Sequence, residues 1–178
     1  MTARPQRSLT ALLLAATALL AVGCGFQLRA WDFSDSDLSV RVQADPLSRM
    51  AAPLRDALRQ AGALASPSGG DADLVVQIVN ESRNRRVASL TAGARAAEFE
   101  LTLGVQFGIR AGERSLINPA WIRASRTFRI DRDNLAGSSE EEALIEQELK
   151  SALSQQILRS LNAVSATLSG AETDADQA

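Results

Sequence analysis

Apolar and polar positions alternate most cleanly near the middle of the chain. Phe99, Leu101, Leu103, Val105, Phe107 and Ile109 share one parity, against Glu98, Glu100, Thr102, Gly104, Gln106, Gly108 and Arg110 on the other. A period of two sustained this far predicts one long strand, on the order of 37 Å at about 3.4 Å per residue. Shorter strands are predicted at Leu38–Val42 and Leu74–Val79, the second open to extension toward Val87. A fourth is predicted from about Trp121 to Ile130, after a turn at Ala111-Gly112-Glu113. There Ile122, Ala124, Arg126, Phe128 and Ile130 fall on one parity, and Trp121, Arg123, Ser125, Thr127 and Arg129 on the other.

Two stretches carry the helical period instead. Leu47, Met50, Ala51, Leu54, Leu58 and Ala61 recur on one face after Asp45-Pro46, which reads as N-cap and first helical residue, and Gly62 reads as the stop. Pro53 lies inside this helix and predicts a kink or a division. Ile145, Leu149, Leu153, Ile157, Leu161, Val164 and Leu168 form the stripe of a second helix over about 139–168, with Ser139 and Glu142 as a capping box. At 1.5 Å per residue it reaches roughly 45 Å, the length of a whole sheet. Strand, helix, three strands, helix predicts an α+β domain over 38–168, with a four-stranded, largely antiparallel sheet and two helices packed on one face. Strands apolar on a single parity agree, since a sheet covered on both sides reads as continuous apolar runs. Residues 65–71 read as a Ser/Pro/Gly loop, and 169–178 as a disordered acidic tail.

The beginning of the chain follows another logic. An apolar run starts near Leu9 and ends at Cys24, with Arg4 and Arg7 ahead of it and no acid before the cysteine. Positive start, short apolar middle and small residues before a cut are the secretory pattern, and the run falls short of the about 20 apolar residues of a spanning helix. A cysteine directly after Val22-Gly23 makes the site a lipobox, although Ala21 holds the place where the consensus prefers Leu. The expectation is a signal peptide over 1–23, diacylglycerol and acyl chains on Cys24, and a lipidated tether over 24–37. An ordinary signal peptide with a chance cysteine is the other reading. Cys24 is the single cysteine of the chain, and a lone thiol is an oddity in an oxidising compartment. One acyl chain binds a membrane marginally, and several anchor stably. Gly25 follows the cysteine where Asp would retain an enteric lipoprotein at the inner membrane. The expected location is therefore the outer membrane, lipid-anchored on its periplasmic side.

Composition narrows the chemistry. The chain has 19 basic and 21 acidic residues; without Arg4 and Arg7 the mature net charge is −4, which argues against nucleic acid as a partner. There is no His, so with Cys24 committed to lipid the His-based triads, Cys-His dyads and His or Cys metal sites fall away. No catalytic constellation is recognisable among the remaining carboxylates, serines and Lys150. The expectation is a non-enzyme, with no metal site and no cofactor beyond the covalent lipid.

The positive charge is unevenly spread. Arg83, Arg85, Arg86 and Arg95 fall in one stretch without an acid, and Arg114, Arg123, Arg126, Arg129 and Arg132 in the next hairpin with only Asp131 for company beyond the turn. All are Arg, whose planar fork grips phosphate in bidentate fashion. Solvated hairpin ends and a phosphate-binding patch both fit this pattern. Gly104 and Gly108 stand mid-strand on its polar side, where glycine weakens a strand. They mark either a bulged, twisted stretch or the close approach of another backbone.

Cys24-Gly25-Phe26-Gln27-Leu28-Arg29 ahead of this architecture resembles the opening of the mature chain in the LptE family, outer-membrane lipoproteins of lipopolysaccharide assembly. Pro46-Leu47-Ser48-Arg49, Ala97-Glu98-Phe99, Arg123-Ala124-Ser125-Arg126-Thr127-Phe128 and Gln155-Gln156-Ile157-Leu158-Arg159-Ser160-Leu161 continue the resemblance over nearly the whole mature chain. It departs at Gln27, where the family often has His, and in the stretch 82–95. The resemblance implies a plug inside the LptD barrel that also binds lipopolysaccharide through basic residues. It places Arg123 at the family's basic position, with Arg95 and Arg86 as neighbours. Gly104 and Gly108 are the candidate partner-facing positions on the close-approach reading of the strand. Arg126, on the apolar parity, is expected to be paired with an acid or to sit at the sheet margin. A lipoprotein binding lipid, peptide or cell wall in another envelope complex is the alternative.

Overall fold

The computed structural model describes Phe33 and residues 38–66, 71–90, 96–129 and 135–175. Strands β1 (Val40–Gln43), β2 (Leu74–Leu90), β3 (Ala96–Ala111) and β4 (Arg114–Arg129) form one sheet in the order β1-β2-β3-β4. Helix α1 (Ala51–Gln60) lies between β1 and β2, and α2 (Leu135–Ala175) follows β4. The hairpin pairs β2-β3 and β3-β4 are antiparallel, while β1 runs parallel to β2, which the intervening helix allows. The fold is the expected α+β arrangement, antiparallel except at β1.

One core holds it together. Val40, Val42, Leu74, Val76 and Ile78, the odd positions Leu101 to Ile109 of β3, and Phe128 bury one side of the sheet. Leu54 and Leu58 of α1 and Ile145, Leu149, Leu153, Ile157 and Leu161 of α2 belong to the same cluster, which sets both helices against that side. Burying such a Leu or Ile side chain contributes roughly 1.5–3 kcal/mol. Phe33 lies within the expected tether, yet it is buried in this core and its N–H donates to the Ala61 carbonyl at 2.8 Å. The chain is therefore fastened to the domain before β1 begins.

Several boundaries differ from the sequence expectation. Helix α1 begins at Ala51, because Asp45 closes a turn instead of capping a helix: its Oδ1 accepts from Leu47 N at 2.8 Å and its carbonyl from Ser48 N. Leu47 is consequently exposed and not part of the core. Pro53 falls in the first turn of the shortened helix, where its missing N–H has no partner to lose, so the helix runs on unbroken to Gln60. Strand β4 starts at Arg114, directly after the Gly112-Glu113 turn, in which Gly112 takes φ +52°. Pro119 is tolerated there because β4 is an edge strand and its register against β3 shifts beside it. Helix α2 starts at Leu135 and runs to Ala175, so Ser139 is interior, not a cap. Of the expected tail, residues 169–175 are helical.

Candidate functional site

A register shift in β2 decides which arginines face where. Ile78 pairs with Phe107 and Asn80 with Gln106, leaving Val79 as an extra residue, a β-bulge. Beyond it the parity of β2 reverses. Glu81, Arg83 and Arg85 pair with Val105, Leu103 and Leu101 and point to the helix side, while Asn80, Ser82, Asn84 and Arg86 point away from it.

On the helix side the charges are consumed by structure. Ser48 Oγ accepts from Ala51 N at 3.0 Å and donates to Glu81, whose other oxygen accepts from Arg49 N at 3.0 Å. A β2 carboxylate thus holds the turn that leads into α1, close to the helix N-terminus where the dipole favours negative charge. Arg83 reaches Glu142 and, at 2.9 Å, Glu146 of α2; Arg85 reaches Glu142 at 2.9 Å and lies 5.3 Å from the Phe99 ring centroid. Lys150 adds a 2.8 Å bond to Glu146. That bond, and then Arg83, holds the Glu146 carboxyl below the usual glutamate range against partial burial. Glu142, read from the sequence as half of a capping box, ties the helix to the sheet instead. Arg126 is paired with Glu148 of α2 at 3.0 Å.

Among the described residues no helix covers the opposite side of the sheet. Its arginines differ in what they touch. Arg86 pairs with Glu100, and Arg129 with Glu98 at 3.1 Å. Arg123 has no acidic partner among the described residues; its guanidinium carbon sits 5.3 Å from the Trp121 ring centroid, a cation–π stack. Across the strand from Arg123 is Gly104, and beyond that Ser82. A Cβ on Gly104 would stand 2.6 Å from Ser82 Oγ, 3.3 Å from Arg123 Cγ and 3.4 Å from Trp121 Cε3. The missing side chain is the space that lets Arg123 lie down beside Trp121. At Gly108 a Cβ would come within 3.0 Å of the Ile117 carbonyl oxygen. Both close approaches come from this chain's own strands.

Of the expected site residues, Arg123 and Gly104 are brought together. Arg86 is four residues along β2 from Ser82, about 14 Å away, and Gly108 is as far from Gly104 in the other direction. Arg95 and Cys24 lie outside the described residues. Trp121 and Ser82 were missed, although Trp121 stands two residues before Arg123 on the same parity. Among the described residues no cluster of His, Cys, Asp and Glu could hold a metal, and no helix is long and apolar enough to cross a membrane.

Comparison with known proteins agrees on the lineage. The LptE lipopolysaccharide-assembly family matches residues 36–161. The LPS-assembly lipoprotein LptE of Photorhabdus laumondii is 26% identical over 152 residues, covering 84% of this chain and 83% of the relative. Its counterpart in Yersinia enterocolitica is 29% identical over 159 residues, covering 87% and 76%. Lipoprotein B of Nitrosomonas europaea superposes with a TM-score of 0.63 at 26% identity, over 80% of this chain and 94% of that one. Rare lipoprotein B of Shewanella oneidensis shares the fold, with a TM-score of 0.63 at 21% identity over 74% and 98%. The chain belongs to the LptE lipopolysaccharide-assembly family.

Proposed function

We propose that this protein is an outer-membrane lipoprotein that plugs an LptD-like barrel and binds lipopolysaccharide on its way to the cell surface. LptE proteins are non-enzymatic assembly lipoproteins with no known cofactor. The lipid on Cys24 is the anchor, and the chain faces the periplasm. Intact mass of the membrane-extracted protein should correspond to a triacylated chain beginning at Cys24; a free thiol there would end the anchor reading.

The observation that carries lipopolysaccharide binding is Arg123, held over Trp121 on the uncovered side of the sheet without an acidic partner among the described residues. Its charge is available to a phosphate, whereas Arg86 is already engaged by Glu100 and needs that pair broken to contribute. Arg95 completes the proposed set. Gly104 and Gly108 are the proposed barrel-facing positions on the same side of the sheet.

A charge-assisted contact to phosphate contributes about 1.5–3 kcal/mol, so Arg123→Glu should weaken lipopolysaccharide binding at least tenfold. Arg59→Glu is the control, since Arg59 lies on α1 and is paired with Asp56. Salt should weaken wild-type binding by screening, and less steeply in the Arg123 variant. Equal losses in the two variants would reduce the effect to net charge. Undiminished binding by Arg123→Glu, with melting temperatures matched, would remove Arg123 from the site.

A further inference from the structure

We infer that the uncovered side of the sheet reads the phosphorylated sugar of its ligand and not the acyl chains, with Trp121 as the stacking platform. The inference rests on the lipopolysaccharide-binding reading above and names the part of the molecule recognised.

The chemistry around Trp121 is that of a saccharide site. Trp121 is 38% exposed despite the guanidinium stacked on it, so part of its ring is open to solvent. Directly across the strand is Gln106, whose Oε1 accepts from Asn80 Nδ2 at 2.7 Å. That bond orients both amides and leaves the Gln106 amide donors and the Asn80 oxygen for a ligand. A donor and an acceptor side by side, next to an aromatic ring, match adjacent sugar hydroxyls over the apolar C–H face of a pyranose. Gly104 gives Arg123 and Trp121 the room to lie side by side, so that Arg123 places a cation beside the ring for a phosphate on the same sugar.

The same surface is wrong for acyl chains. Burying each CH₂ contributes about 0.8 kcal/mol only where apolar surface receives it. Around Arg123 on this side are Ser82, Thr102 and Ser125, which offer hydroxyls instead. A lipid tail laid here would cover polar groups without satisfying them.

The test uses the full chain in detergent and fully deacylated lipopolysaccharide, with intact lipopolysaccharide and inorganic phosphate as the other probes. Trp31 and Trp121 are the two tryptophans, so in a Trp31→Phe background the emission reports on Trp121 alone. The expected result is saturable change in that emission, with deacylated material binding within tenfold of intact. Inorganic phosphate should bind at least tenfold more weakly. By calorimetry, Trp121→Leu should lose at least tenfold for both saccharide probes and Trp121→Phe should recover most of it, at unchanged melting temperature. Binding of intact but not deacylated material would overturn the inference while leaving lipopolysaccharide binding in place. So would undiminished binding by Trp121→Leu, or phosphate binding as tightly as the sugar. Failure of both glycan probes would remove the lipopolysaccharide-binding reading as well.

Discussion

Leu153→Ala is expected to destabilise the domain by about 2–5 kcal/mol, the cost of deleting a buried leucine and leaving a cavity that packing only partly refills. Leu153 is fully buried midway along α2, and with Met50 of the α1 entry and Leu103 of β3 it lines one cleft between the helices and the sheet. Arg83, Glu146 and Lys150 at its rim are held to one another and do not turn in to fill the gap. Denaturant unfolding measures the change directly. Because Arg123 and Trp121 lie on the other side of the sheet, lipopolysaccharide binding by the folded fraction should be unchanged. A loss below about 1 kcal/mol would mean that α2 is not seated as described.

The second large effect is at Gly104. Replacing it with Val puts a Cβ where Ser82 Oγ stands at 2.6 Å, and its two methyl groups against Arg123 and Trp121. Ser82 can turn its hydroxyl aside, but the stack has less room to move. Overpacking of this kind costs about 1–3 kcal/mol, offset in part by the preference of Val for strands. The expected outcome is a folded protein in which Arg123 has left the Trp121 ring, with lipopolysaccharide binding reduced as far as in Arg123→Ala. The double variant should then bind no worse than either single one, the signature of two changes acting through one contact. Additive losses would show that Gly104 serves the ligand or the barrel independently of Arg123.

Much of the fold was legible in the sequence, for a physical reason: period-two alternation from Phe99 to Ile109 and the Ile145–Leu168 stripe each admit one kind of element. The bulge at Val79 was not legible, because Ile78 and Val79 are both apolar and either could have faced the core. The facing of the β2 arginines follows from that one residue. Arg83, Arg85 and Arg86 are close in sequence and read as a single patch, yet the first two face the helices and the third faces away. The acids of the first two, Glu142 and Glu146, lie 57 or more residues later, beyond the reach of any local pattern. The capping box at Ser139 failed because the helix already begins at Leu135, and Glu142 is held by Arg83 and Arg85 of β2. Pro119 hid the first half of β4, because an edge position that tolerates proline cannot be told from a loop by composition. Arg123 was singled out through the family resemblance, and Trp121, on the same parity, would have followed had its ring been read as a partner for the guanidinium.

The most direct test of the account is to extract the tagged full chain from its own membranes in mild detergent and identify what comes with it. A barrel plug that handles lipopolysaccharide should bring down a large outer-membrane β-barrel in near-equimolar amount together with lipopolysaccharide, and Arg123→Glu should keep the barrel while losing most of the glycolipid. Recovery of the lipoprotein with other envelope components, and without a barrel, would contradict it.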